Sequence, residues 1–215
     1  MPSSTLLRVA GLACRRGPSW LFRNLSFHVG RGQMVWLRGA NGSGKTSLLR
    51  MLAGLAQAEE GSIEWAAPVN TALPPRARAP MLYIGHLNAL KDDLTVCESL
   101  QFMASLHGRD ASRAAALSAL RALGIHHVRQ VQVRNLSQGQ RRRAALARLA
   151  QESEAIVWVL DEPFDALDTA GIEVVNGLLS VHLQRGGAVL LTSHLPPLMS
   201  GPQAREISLD HGADE

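Results

Sequence analysis

Apolar and polar residues alternate from Asn24 to Val29, with Leu25, Phe27 and Val29 set against Asn24, Ser26 and His28. That period of two predicts a half-buried strand. The apolar triplet Val35-Trp36-Leu37 runs straight into a glycine-rich turn, and Ser47 to Gly54 then takes helical spacing and stops on a glycine. The N-terminal third as a whole predicts strands. Pro68 to Pro80 holds four of the ten prolines and predicts a loop, and Met81 to Ile84 predicts a buried strand. From about Leu94 the pattern changes: Thr95, Ser99, Leu100, Phe102, Met103 and Leu106, then Ala114 to Leu123, predict two amphipathic helices. Ala155 to Leu160 is wholly apolar, as buried parallel strands are. A helix over Gly171 to Gln184 and a further buried strand over Ala188 to Thr192 complete the pattern. Strands alternating with helices predict an α/β fold with a mostly parallel core sheet. N-terminal antiparallel strands and a helical subdomain inserted over about residues 88–135 complete one domain spanning 1–215. The chain contains no internal repeat and no low-complexity tract.

Composition adds a few limits. A chain of 215 residues that is 46% hydrophobic can bury a substantial core. The net charge of +4 and a sequence pI near 9.8 suit polyanions, anionic headgroups or nucleotides. An ordinary solvated surface accounts for so mild an excess equally well. Cys14 and Cys97 are 83 positions apart and in no CxxC pair, which fits a reduced compartment and structural thiols. No stretch reaches the roughly 20 apolar residues that cross a bilayer. Met1 to Arg16 lacks the apolar run and small-residue cleavage site of a signal peptide. Work at a membrane would therefore require another chain as anchor.

Chemistry enters at Gly39-Ala40-Asn41-Gly42-Ser43-Gly44-Lys45-Thr46, which matches GxxxxGK[ST] in full. It follows an apolar strand and opens a helix, at Ser47, as the motif requires. Glycines let the backbone wrap a phosphate chain with N–H groups aimed inward, and the helix N-terminus adds free donors and a favourable dipole. Lys45 is placed for the β- and γ-phosphates, and the Thr46 hydroxyl for Mg²⁺. ATP and Mg²⁺ are the expected ligands. A chance match arises in roughly one random chain in a hundred of this length.

The apolar run Ile156 to Leu160 ends in Asp161-Glu162. Such a strand delivers two carboxylates at its C-terminal end, where open α/β sheets bind ligands. Asp161 is then a Mg²⁺ residue, and Glu162 the general base that polarises the attacking water. Asp-Glu-Pro is also a common way to leave a strand; beside a phosphate-binding loop the catalytic reading is the stronger.

Leu136-Ser137-Gln138-Gly139-Gln140 resembles the LSGGQ signature of ABC ATPases, with Gln138 replacing one glycine. The resemblance implies that Ser137, Gln138, Gly139 and Gln140 present donors to a γ-phosphate held by a partner subunit. The following Arg141-Arg142-Arg143, taken as the start of a helix, reads as a solvated face rather than a nucleic-acid contact. Ala166-Leu167-Asp168 resembles the D-loop at the dimer interface. His194, 32 positions after Glu162, resembles the switch histidine that contacts γ-phosphate. Two positions depart from the family. Arg16 stands where an aromatic stacks on adenine, with Trp20 close by, and a guanidinium plane can also stack on a base. His86 stands where a glutamine contacts Mg²⁺ or water, and an imidazole nitrogen could do the same.

Cys14-Arg15-Arg16-Gly17, Gly85-His86 followed by Leu90-Lys91, and the signature with Arg141-Arg142 together resemble the ATPase subunit of cytochrome c maturation (heme exporter) systems. That family implies a peripheral protein on the cytoplasmic face of the bacterial inner membrane, held by integral-membrane subunits. It also implies a second copy in a head-to-tail ATP-sandwich dimer, and hydrolysis tied to heme export or to release of a heme-loaded chaperone. The residues themselves contain no CxxCH motif. The alternative is a soluble ABC ATPase acting on nucleic acid or ribosomes. One P-loop and an insert of only about 40 residues, too short for several sustained heptads, argue against it. No nucleic-acid partner is expected, and a small-molecule P-loop kinase leaves the signature and His194 without a purpose.

Overall fold

The computed structural model describes residues 5–66, 81–154, 156–194, 196 and 204–209. The proline-rich stretch Pro68 to Pro80 lies wholly outside them, as does Ala155. The chain forms two compact units: one of Met1–Tyr83, Ala155–Glu162 and His182–Glu215, the other of Ile84–Glu154 and Pro163–Val181.

In the first unit, β1 (Thr5–Arg16) lies between β2 (Ser19–Gly30) and β4 (Glu60–Trp65) in an antiparallel sheet. Leu25, Phe27 and Val29 turn inward and Asn24, Ser26 and His28 outward, as their alternation requires. The second sheet has the order β5 (Met81–Ile84), β6 (Val157–Leu160), β7 (Ala188–Thr192), β3 (Met34–Arg38), β8 (Arg205–Ser208). Within it, β6 and β8 flank the β7–β3 pair in parallel. Strands β6 and β7 are buried at every position, which explains their unbroken apolar sequence. Helix α1 (Lys45–Leu52) follows β3, and its Leu48, Leu49 and Leu52 join residues of both sheets in one core.

The second unit is helical. α2 (Val96–Leu106) opens on a capping box in which Thr95 accepts from the Glu98 N–H and Glu98 accepts from the Thr95 N–H. α3 (Arg113–Ala122) is capped by Ser112, and α4 (Gln138–Ala150) supplies a buried face of Ala144 to Ala147 and Leu149. Of the apolar residues expected on the packed face of α2, Phe102 is 39% and Leu106 63% exposed. Val96, Cys97, Leu100 and Ala104 fill the interior instead. α5 (Thr169–Gln184) begins in this unit. No helix among the described residues is long and apolar enough to cross a membrane.

Candidate functional site

Three adjacent parallel strands, β6, β7 and β3, end on the same edge of their sheet. Beyond β3 lies the loop Gly39 to Gly44, beyond β6 the pair Asp161 and Glu162, and beyond β7 Ser193 and His194. Open α/β sheets bind ligands on this edge.

Within the loop, Gly39, Gly42 and Gly44 all have positive φ. Gly44 is the N-cap of α1 at φ 99°, and a Cβ there would come within 3.0–3.1 Å of Leu21 and Phe22. Glycine is therefore required both by conformation and by space. The Lys45 ammonium donates to the carbonyls of Gly39 at 2.7 Å and Ala40 at 3.0 Å, so the cation is folded into its own loop. Ala40, Asn41, Gly42 and Thr46 are exposed, while Ser43 and Ser47 are half-buried.

Asp161 is 2% exposed at the end of β6. Its Oδ1 accepts from the Thr192 hydroxyl at 2.8 Å and lies 3.4 Å from the Thr46 hydroxyl, the other residue assigned to the metal. Glu162 takes a left-handed backbone at φ 47°, an unfavourable conformation for a side chain of this kind. The neighbouring strand holds it there: its N–H donates to Thr192 Oγ1 at 2.8 Å, and its Oε2 accepts from the His194 N–H at 3.2 Å. His194 Nε2 stands 3.8 Å from Glu162 Oε1, with the imidazole 64% and the carboxylate 13% exposed. A cleft of about 350 Å³ opens beside Gly39, Lys45 and His194. Thr46, Asp161, Glu162 and His194 are thus brought together within the first unit.

These groups fit MgATP. Among the described residues no cluster of three or more His, Cys, Asp or Glu could cage a cation. One hydroxyl beside one carboxylate suits Mg²⁺, which keeps waters and takes its remaining ligands from substrate phosphates. Arg16 is exposed where β1 turns into β2. Trp20 lies under two guanidiniums, Arg15 at 4.2 Å and Arg23 at 4.5 Å from its ring centre.

The second unit carries the signature. Ser137 is the N-cap of α4: its hydroxyl accepts from the Gln140 N–H at 3.3 Å, and Gln140 Oε1 accepts from the Ser137 N–H at 3.0 Å. The helix therefore starts at Gln138, three residues before the arginine run. The cap leaves the N–H groups of Gln138 and Gly139 in the first turn with no partner inside the helix. Gly139 approaches Ala166 closely; a Cβ on it would sit 2.9 Å from the Ala166 carbonyl.

The arginine run is not a solvated face. Arg142 is 3% exposed and donates to the Gly85 carbonyl at 2.9 Å, Asn88 Oδ1 at 3.1 Å and the Pro163 carbonyl at 3.4 Å. Arg141 pairs with Asp92, and Arg143 with Asp168 and the Leu123 carbonyl. Helical periodicity turns these three side chains in different directions, and the carbonyls and carboxylates that receive them come from distant sequence. Asp168 also accepts from the Gly171 N–H at 2.8 Å at the start of α5. That bond and Arg143 hold its carboxyl below the ordinary range. His86, 66% exposed, has Nδ1 3.8 Å from Asp165 Oδ2.

Thr192 escapes a motif search, yet it fixes both Asp161 and the Glu162 backbone. Its only sequence signal is a hydroxyl closing an otherwise apolar strand.

The ABC transporter family model matches residues 22–165. The cytochrome c biogenesis ATP-binding export protein CcmA of Nitrosomonas europaea is 43% identical over 91% of each chain. That of Dechloromonas aromatica is 42% identical over 95% of this chain and all of its own. Among solved structures, an ATP-binding subunit of an ABC transporter superposes with a TM-score of 0.76 at 25% identity, covering 89% of this chain and 80% of that one. A dimeric ATP-binding cassette in a post-hydrolysis state, bound to ADP and Pi, has a TM-score of 0.75 at 22% identity, covering 88% of each chain. With the phosphate loop, the carboxylate pair and the capped signature in place, the chain belongs to the ABC transporter ATPases, and among them to the CcmA family.

Proposed function

We propose that this chain, as a single ABC ATPase domain with a helical insert, hydrolyses MgATP between two copies of itself to energise heme export or release of a heme-loaded chaperone in cytochrome c maturation. Integral-membrane subunits hold it at the cytoplasmic face of the bacterial inner membrane. The observation that carries the reading is Glu162. Its backbone is held left-handed by Thr192 and its carboxylate by His194, beside the Asp161–Thr46 pair. The names of the relatives supply the cytochrome c assignment.

Lys45 exchanges the carbonyls of Gly39 and Ala40 for the β- and γ-phosphates. Thr46 and Asp161 would hold Mg²⁺, which would neutralise negative charge on the phosphate oxygens. Glu162 accepts a proton from the attacking water, and His194 donates toward the γ-phosphate. The second copy closes the site with its own Ser137 to Gln140. Phe102 and Leu106, exposed apolar residues four positions apart on α2, support a helix face turned toward membrane subunits.

Turnover and heme transfer measured with and without co-expressed membrane subunits test the reading. The isolated chain should hydrolyse slowly, since half of each site comes from another copy and partners populate the closed dimer. Association should accelerate it, and Lys45→Ala should abolish both readouts. High activity without partners, or heme transfer that survives Lys45→Ala, contradicts the proposal.

A further inference from the structure

The cleft beside the phosphate loop is walled by an indole whose polar end serves the site. β3 and β7 pair with Trp36 opposite Leu191 and Leu37 opposite Thr192. Ser193 lies one residue past that last pair. Its carbonyl accepts from Trp36 Nε1–H at 3.0 Å, and the Trp36 residue is 7% exposed. Arg38 covers the ring at 4.8 Å and pairs in turn with Glu206 at 3.1 Å.

Three consecutive residues are therefore anchored by groups of three others, Asp161, Glu162 and Trp36. Thr192 is bound to Asp161 and to the Glu162 N–H, Ser193 to Trp36, and the His194 N–H to the Glu162 carboxylate. The imidazole of His194 is 64% exposed, so packing does little to orient it. Its direction follows from the backbone that bears it. A buried indole N–H without an acceptor is costly, and a phenylalanine or leucine would fill the space without that cost. Trp36 fits its position because the Ser193 carbonyl is there to receive it.

We propose that Trp36 is a positioning residue for His194. Its N–H sets the direction of the Ser193 carbonyl, and with it the angle at which the imidazole is presented to the cleft. The proposal rests on the ATPase reading of Glu162 and His194, and the experiment separates the two.

ATP turnover is measured in the partner-activated complex for the wild type, Glu162→Gln and Trp36→Phe. Wild-type hydrolysis that disappears in Glu162→Gln upholds the ATPase reading whatever Trp36 does. Trp36→Phe keeps most of the ring and removes the N–H. We expect kcat to fall roughly three- to tenfold, the scale of one lost hydrogen bond, with KM for ATP within about twofold and a melting temperature lowered by only a few degrees. Unchanged kcat overturns the role, as does a fall in kcat matched by an equal rise in KM. Should Trp36→Phe not fold, the 5-fluorotryptophan-labelled chain answers instead. Its Trp36 ¹⁹F resonance should shift in His194→Ala, and a resonance that stays in place overturns the proposal.

Discussion

His86 and His182 show how differently one residue type is used. His86 is 66% exposed, with Asp165 at 3.8 Å, so it has little packing to lose. A neutral imidazole can accept from water or ligate Mg²⁺, and a protonated one can do neither. His86→Ala should weaken partner-stimulated hydrolysis more than ATP binding, and His86→Gln should restore most of it through its amide oxygen. Equal effects on affinity and stimulated turnover, or equal behaviour of the two variants, would remove His86 from the mechanism. His182 is fully buried, stacked on Trp158 at 3.8 Å between ring centres. Its Nε2–H donates to the Ile156 carbonyl at 2.8 Å, and Nδ1 accepts from Arg185. Only the neutral ring satisfies both bonds. Burial pushes its pKa down to about 4, partly offset by the Ile156 carbonyl. The unfolded chain therefore binds the extra proton first. The stability from His182 is full above about pH 6.5 and is lost as pH falls toward about 4, a change on the order of 3 kcal/mol. Denaturant melts across that range should show the slope in the wild type and a reduced one in His182→Phe; matching slopes would exclude His182 as the cause. That Thr46, Asp161 and Glu162 meet was legible from the phosphate-loop motif and the apolar run ending in two carboxylates, and that His194 joins them from its family resemblance. Thr192 and Arg142 were not, since each gains its role only from partners that folding brings from far along the chain.

At the scale of elements, the apolar runs located β3, β5, β6 and β7, and the starts of the helices shifted for identifiable reasons. α1 begins at Lys45 because Gly44 itself is the cap, and α4 begins at Gln138 because Ser137 and Gln140 close a capping box. Strands β1 and β4 lacked a clean alternation; their ladder is irregular between Ala10 and Ala13, with Gly11 and Gly61 at positive φ. β8 has four residues and little burial, too little for a pattern to register. The junction of α4 with the Ala166–Asp168 segment rests on Gly139 against the Ala166 carbonyl and on the Arg143–Asp168 pair. Gly139→Ala should therefore displace that segment. Far-ultraviolet circular dichroism should stay near wild type, since alanine is a better helix former than glycine, while hydrolysis falls by about tenfold or more. Full activity in that variant would show that the close approach is dispensable.

For the whole molecule, the phosphate loop and the carboxylate pair belong to one compact unit and the signature to the other. In the proposed dimer the signature of a second copy completes each site, so nucleotide binding, dimerisation and hydrolysis should separate cleanly in one variant. In Glu162→Gln the amide fits the same space and cannot act as a base. ATP binding should persist, hydrolysis should collapse, and an ATP-stabilised dimer should accumulate on sizing chromatography in saturating MgATP. A variant that hydrolyses ATP near the wild-type rate, or that remains monomeric with nucleotide bound, would contradict the account.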